Sequence, residues 1–146
     1  MAIEAQKQLA RRFYEEVCNQ QRFDLIDEFV AEEYEHHNPS LPPELQHGRA
    51  NFQQIVMMFF SAFPDLQGTI EDLIAEDDKV VARLRWRGTH GGELMGIPAS
   101  GNPVDFSVME IYRIAGGKMV EGWAALDVMN LMQQLGAIPA PQSVPN

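Results

Sequence analysis

Hydrophobic positions recur every three to four residues in the first half of the chain, which predicts helices. Leu9, Phe13 and Val17 share one face of the first segment and charged residues fill the other, so we expect an amphipathic helix over residues 3–20. Asp24 is placed as the N-cap of a short second helix over residues 25–30. A third helix follows Gly48 and ends at Pro64, because proline cannot continue a helix.

In the second half, apolar and polar residues alternate with a period of two, which predicts strands. The expected strands cover residues 66–76, 79–90, 104–114 and 118–127, and a last helix covers 128–135 with Gly136 after it. A tight three-residue turn, Ala115-Gly116-Gly117, joins the last two strands. Helices that precede strands favour an α+β fold, in which a curved antiparallel sheet wraps around about three N-terminal helices.

Composition narrows the classes of partner. The chain of 146 residues suits one domain, which we place at 1–138, with a loose tail over 139–146 that is rich in proline and polar residues. Its 11 Lys and Arg against 21 Asp and Glu disfavour both nucleic acid and anionic membrane surfaces. Cys18 is the only cysteine, so no intrachain disulfide is possible. We find no apolar run of membrane-spanning length and no secretory signal, and cytoplasm is the expected location.

Glu110 is the first candidate for chemistry. It shares the apolar face of its strand with Phe106, Val108 and Tyr112, and that face should point inward. Burial penalises the charged carboxylate and raises its pKa, which suits a general acid or base near neutral pH. The alternative is a structural glutamate with a polar partner, or a register that leaves it in solvent.

The return strand supplies space and a second carboxylate. A three-residue turn would place Gly122 opposite Glu110 and Ala124 opposite Val108, and these small residues leave room for a ligand. They could equally serve a tight bend or a dimer contact. Asp127 is either a catalytic carboxylate at the mouth of the pocket or the N-cap of the last helix.

Two histidines are further candidates for catalysis. His90 lies among glycines at a loop edge, where it could shuttle a proton or simply shape the loop. His36 and His37 face opposite ways on an extended segment, so at most one enters the pocket, and we choose His37. The histidines show no metal-ligand spacing, and we expect no metal.

Aromatic and apolar side chains should form the walls of the pocket. Tyr14 could reach it with its hydroxyl, although core packing is an alternative role. The residues that we expect to contact a ligand are Tyr14, Phe52, Val56, Phe59, Trp86, Phe106, Val108 and Trp123. On the outer sheet face, Arg83, Arg85 and Arg87 form a stripe that should pair with acids.

Several short motifs, spread over nearly the whole chain, together resemble the SnoaL-like polyketide cyclase family within the NTF2-like superfamily. They include Phe13-Tyr14, His37-Asn38-Pro39, Phe63-Pro64-Asp65, Val80-Val81-Ala82-Arg83, Gly88-Thr89-His90, Gly96-Ile97-Pro98, Ile111-Tyr112-Arg113, Gly117-Lys118, Trp123, Asp127 and Gln133-Gln134-Leu135-Gly136. The resemblance implies an α+β cone with one central hydrophobic pocket, no cofactor, and a homodimer formed through the sheet.

The resemblance also implies a chemistry. In the cyclases, an aspartate of the last strand removes a proton beside a carbonyl, and an intramolecular aldol addition closes a ring. Relatives often carry His before the last-strand Trp and Asp after it, whereas this chain has Gly122 and Ala124. The catalytic carboxyl would then be Asp127 or Glu110.

Three functions therefore stay open. The first is a cofactor-independent cyclase or isomerase that acts on a small apolar carbonyl compound, with His37, His90 or Tyr14 stabilising an enolate. The second is a binding domain without chemistry. The third, a water-activating site like that of limonene epoxide hydrolase, requires an Asp-Arg-Asp network that we do not find.

Overall fold

The computed structural model describes residues 2–141. Met1 and residues 142–146 are outside the described residues, and with them most of the predicted tail. Residues 139–141 belong to no helix or strand. No helix within 2–141 combines the length and apolar character needed to cross a membrane.

The helices agree with the sequence pattern, with one irregularity. Helix α1 covers Ile3–Arg12 and runs directly into a π-helix over Phe13–Cys18. A 3-10 turn at Phe23–Leu25 leads into the short α2, Ile26–Phe29, and Asp24 makes no capping bond there. Another 3-10 turn, Pro43–Leu45, precedes the third helix. This helix, α3, covers Arg49–Ala62, and the last helix described, α4, covers Val128–Gln134.

Five strands form one sheet in the order β1-β5-β4-β3-β2. Their bounds are β1, Val30–His37; β2, Gln67–Glu76; β3, Lys79–Thr89; β4, Pro103–Ala115; and β5, Lys118–Leu126. The α+β cone predicted from the sequence is confirmed. The sheet, however, is mixed and not wholly antiparallel, because the unpredicted β1 pairs in parallel with β5.

The interior lies between the helices and the concave face of the sheet. Val80, Ala82, Leu84 and Trp86 alternate along β3 and are all buried on that face. Between them on the outer face, the arginines pair with acids as predicted: Arg83 with Asp72, and both Arg85 and Arg87 with Asp105.

The register of the last hairpin differs from the prediction by two residues. Its turn has two residues, Gly116 and Gly117, both with positive φ, and Ala115 pairs with Lys118. A register shift between Arg113 and Ile114 adds a second offset. As a result, Glu110 is opposite Ala124 and not Gly122, which pairs with Tyr112.

Candidate functional site

An interior cavity of ≈ 100 Å³ lies between the concave sheet face, the π-helix and α3. It is lined by Phe13, Tyr14, Cys18, His36, Asn38, Phe52, Ile55, Val56, Phe59, Phe60, Leu66, Trp86, Phe106, Val108, Glu110, Tyr112, Ala124 and Leu126. Of the predicted ligand contacts, all line it except Trp123. An apolar cavity of about 150 Å³ binds benzene. The present cavity is smaller, so it suits a compact ligand, or part of one that extends out of the cavity.

Glu110 is held by two tyrosine hydroxyls. Tyr14 of the π-helix and Tyr112 of β4 both donate hydrogen bonds to Oε2 of Glu110. The two hydroxyl oxygens are themselves 3.1 Å apart. The other carboxyl oxygen, Oε1, has no hydrogen-bond partner among residues 2–141, so it is available to a molecule in the cavity.

Burial sets the protonation of this group. Desolvation raises the pKa of Glu110 above its ordinary value, and the hydrogen bonds from Tyr112 and Tyr14 oppose the rise. Burial also raises the pKa of both tyrosines, reinforced by the charge of Glu110, so their hydroxyls stay protonated as donors. Among the cavity residues, a carboxyl held in this way is suited to exchange a proton with a ligand.

Local backbone structure brings Tyr14 to this position. In the π-helix the amide of Asn19 donates to the carbonyl of Tyr14 at 2.8 Å, five residues back. The wider turn places Tyr14, Phe13 and Cys18 along the cavity. Burial raises the pKa of the Cys18 thiol, which keeps it protonated and poorly reactive.

Of the two small residues on β5, Ala124 lines the cavity, whereas Gly122 is covered by Tyr34. Gly122 and Ala124 are flanked on one side by β1 and on the other by Tyr112 and Glu110 of β4. The place that a Cβ of Gly122 would take is occupied by the hydroxyl of Tyr34. Tyr34, on β1, is fully buried, and its hydroxyl lies 3.1 Å from Nδ1 of His36.

His36, and not the predicted His37, is the histidine that lines the cavity. Burial, assisted by the neighbouring His37, lowers the pKa of His36 to about 4, so its ring is neutral at physiological pH. As expected for adjacent residues of a strand, only one of the two histidines faces the cavity. The prediction of His37 is wrong because the inward face of β1 is set by its pairing with β5.

Asn38, which sequence reasoning did not select, also lines the cavity and is buried. Its Oδ1 accepts a hydrogen bond from the amide of Ser40 at 2.9 Å. The sequence signal was the Asn-Pro pair, in which an asparagine can bond to the backbone two residues ahead.

His37 belongs to an ionic cluster on the opposite face of the sheet. Its Nε2 lies 2.8 Å from Glu121, which also accepts a bond from Arg113 at 3.1 Å. The ring of His37 stacks on Trp123 with centroids 5.3 Å apart, which explains why Trp123 is absent from the cavity. Donor atoms of Glu35, His37 and Glu121 lie within 4.8 Å of one another. We assign no metal to these three residues.

The remaining candidates lie away from the cavity lining. His90 is buried in the loop after β3, where its Nδ1 contacts the hydroxyl and amide of Ser100 at 2.9 and 3.1 Å. Asp127 caps α4, accepting from the amide of Asn130 at 3.2 Å. Both therefore adopt the structural roles that were their alternatives, and their catalytic roles stay predictions.

The SnoaL-like polyketide cyclase family model matches residues 8–135 of this chain. The chain belongs to that family. No curated protein matches it in sequence.

Solved structures of similar fold include TsrD from Streptomyces laurentii, with a TM-score of 0.83 and 30% identity, covering 94% of this chain and 99% of TsrD. AclR from Streptomyces galilaeus, a proposed hydroxylase, has a TM-score of 0.85 and 26% identity, covering 97% of this chain and 87% of AclR. IdmH from Streptomyces antibioticus, a proposed polyketide cyclase, has a TM-score of 0.77 and 26% identity, covering 90% of this chain and 98% of IdmH. Because these neighbours carry different proposed activities, the chemistry of this SnoaL-like protein must be argued from its own site.

Proposed function

We propose that this SnoaL-like protein is a cofactor-independent acid/base enzyme in which Glu110 removes a proton from the carbon beside a ketone. The observation that supports it best is the carboxyl group itself. It lies partly buried in the wall of an aromatic cavity, two tyrosines hold its Oε2, and its Oε1 has no hydrogen-bond partner among the described residues. A cyclase or isomerase activity is consistent with the family.

The proposed reaction begins with transfer of a proton from the α-carbon to Oε1 of Glu110. The electron pair of the broken C–H bond moves into an enolate. In a cyclase, the enolate carbon then attacks a second carbonyl of the same molecule, and the resulting alkoxide takes the proton back from Glu110, which regenerates the carboxylate. In an isomerase, the protonated Glu110 returns its proton to a different carbon.

The tyrosines tune the base in this proposal. Their hydrogen bonds stabilise the carboxylate before transfer, while burial keeps its pKa above the ordinary value. A base with a raised pKa has a greater driving force for taking a proton from carbon, provided that it remains ionised. Proton abstraction by such a group contributes roughly 10²- to 10⁴-fold to a rate.

A binding domain without chemistry is the second candidate. It is favoured by the lining, in which apolar and aromatic side chains greatly outnumber polar ones. On this hypothesis, the bonds from Tyr14 and Tyr112 simply satisfy a partly buried carboxyl.

Hydrogen–deuterium exchange separates the two functions without knowledge of the natural substrate. Cyclohexanone, a single ring with α-protons, is incubated with the protein in D2O, and loss of the α-proton signals is followed by NMR. We expect exchange above the buffer rate and a decrease in the protein-dependent rate of about 10²-fold or more in Glu110→Gln.

Glu121→Gln is the matched control, since Glu121 is a strand carboxylate that bonds to His37 on the other face of the sheet. It should exchange at the wild-type rate. Wild-type exchange no faster than buffer, or equal exchange in Glu110→Gln, would reject Glu110 as the base and favour the binding domain.

A further inference from the structure

Two polar side chains, His36 and Asn38, line the cavity across from Glu110. The sheet register aligns His36 of β1, Gly122 of β5 and Tyr112 of β4 in one row. Glu110 is two residues along β4 from Tyr112, and Asn38 directly follows β1. With strands about 4.8 Å apart and about 3.3 Å per residue, the Cα atoms of His36 and Glu110 are roughly 12 Å apart. Ala124 lines the cavity between them, as do His36, Asn38 and Glu110 themselves, so a small ligand can span the gap.

The hydrogen bond to Tyr34 determines which nitrogen of His36 carries the proton. Tyr34 is fully buried, and its O–H needs an acceptor. The one partner of that hydroxyl among residues 2–141 is Nδ1 of His36. Nδ1 must therefore accept, and in a neutral ring the proton then sits on Nε2 as a donor. The hydrogen bond to Tyr34 uses Nδ1, and Nε2 of His36 makes no hydrogen bond within the described part of the chain.

The orientation of the Asn38 amide follows from the same logic. Oδ1 accepts from the amide of Ser40, so the NH2 group is the end that remains. Nδ2 makes no hydrogen bond to residues 2–141. Asn38 is buried and lines the cavity, and its free N–H groups can therefore serve a bound molecule.

We infer that Nε2 of His36 and Nδ2 of Asn38 form a binding subsite for the carbonyl oxygen of a small ketone, with Tyr34 as the positioning residue that fixes the His36 donor. This inference rests on the proposed function, because it orients the α-carbon of the ketone toward Glu110. Hydrogen bonds from neutral N–H groups that are shielded from bulk water become stronger as the carbonyl oxygen becomes an enolate oxygen. Because the donors are neutral, they add no charge next to Glu110. The subsite thus defines the ligand class as a compact ketone that carries apolar groups beyond its carbonyl.

The test uses cyclohexanone labelled with ¹³C at the carbonyl, bound to the full chain. The infrared C=O stretch of the bound ketone should move to lower frequency than in an apolar solvent. His36→Phe and Asn38→Leu each remove one donor and keep a side chain of similar size. In each variant the C=O stretch should move part of the way back toward its frequency in the apolar solvent. Each should also weaken ketone binding about 2- to 12-fold, the range for one hydrogen bond, and leave binding of methylcyclohexane unchanged.

Two further variants distinguish the inference from the proposed function. Tyr34→Phe keeps His36 but frees its tautomer, so the C=O stretch should broaden toward the higher frequency, an effect that packing loss alone would not give. Glu110→Gln should keep the lowered frequency even if it loses exchange. If Glu110→Gln has no effect on exchange while the frequency depends on His36 and Asn38, the function fails and the subsite stands.

The wild-type measurement alone can overturn the inference, whatever the stability of the variants. A bound C=O stretch equal to that in an apolar solvent would do so. A lowered frequency that persists in the folded double variant His36→Phe/Asn38→Leu would overturn it as well.

Discussion

Replacing Gly122 by alanine tests the close packing of Tyr34 against β5 beside the cavity. The added Cβ would coincide with the hydroxyl of Tyr34, and it would lie 3.0 Å from Cζ of Tyr34 and 3.1 Å from Cδ1 of Tyr112. Overpacking of this kind costs about 1–3 kcal/mol. Moving Tyr34 also breaks its bond to His36, which adds about 1 kcal/mol. We therefore expect Gly122→Ala to lower the free energy of unfolding by about 2–4 kcal/mol.

Urea unfolding of four proteins measures this effect: wild type, Gly122→Ala, Tyr34→Phe and the double variant. Because phenylalanine lacks the displaced hydroxyl, the two substitutions should be coupled, with the double variant more stable than the sum of the single losses predicts by about 1 kcal/mol. Gly91→Ala is the control, since its Cβ would meet Pro64 at 3.4 Å, an ordinary contact. Additive losses, or a Gly122→Ala loss no larger than that of Gly91→Ala, would refute the packing argument.

Two other predictions concern stability. Asp127→Ala removes the cap of α4 and should cost about 0.5–2 kcal/mol in urea unfolding, whereas Asp127→Asn, which keeps a capping oxygen, should cost less; equal losses would contradict the cap. The pKa of His36 is about 4 in the folded protein, against 6.5 for the free side chain. As the pH decreases, the unfolded chain therefore binds a proton at this site before the folded protein does, and the free energy of unfolding falls between about pH 6.5 and about pH 4. The change amounts to about 3 kcal/mol, and His36→Phe should remove that part of the pH dependence; an unchanged pH profile in His36→Phe would show that His36 titrates normally.

The elements of this fold that carry a strong hydrophobic period could be predicted from the sequence. Helices α1 and α3, predicted from their helical period, and strands β3 and β4, predicted from their alternation, lie near the expected bounds. The inward position of Glu110 followed from the same alternation, because a strand that buries Phe106, Val108 and Tyr112 must turn Glu110 the same way.

Features that depend on pairing between distant segments could not be predicted. The β1 sequence is mostly polar, and its strand identity comes from hydrogen bonds to β5, more than eighty residues away along the chain. The face of His36 and the stacking of His37 on Trp123 follow from that pairing. Likewise, the partner of Glu110 depended on the two-residue turn at Gly116 and Gly117 and on a bulge, neither of which alters the alternation on which the prediction relied.

The π-helix at Phe13–Cys18 has an implication for how this site could be gained or lost. A π segment is equivalent to an α-helix into which one residue has been inserted, and each residue of an α-helix turns the chain by about 100°. Removal of one residue there would leave α1 helical but swing its side chains around the axis, withdrawing the Tyr14 hydroxyl from Glu110. A single codon deletion in this segment should therefore disconnect the tyrosine from the carboxyl, and it would also turn the buried face of α1, with Gln6 and Ala10, away from the core.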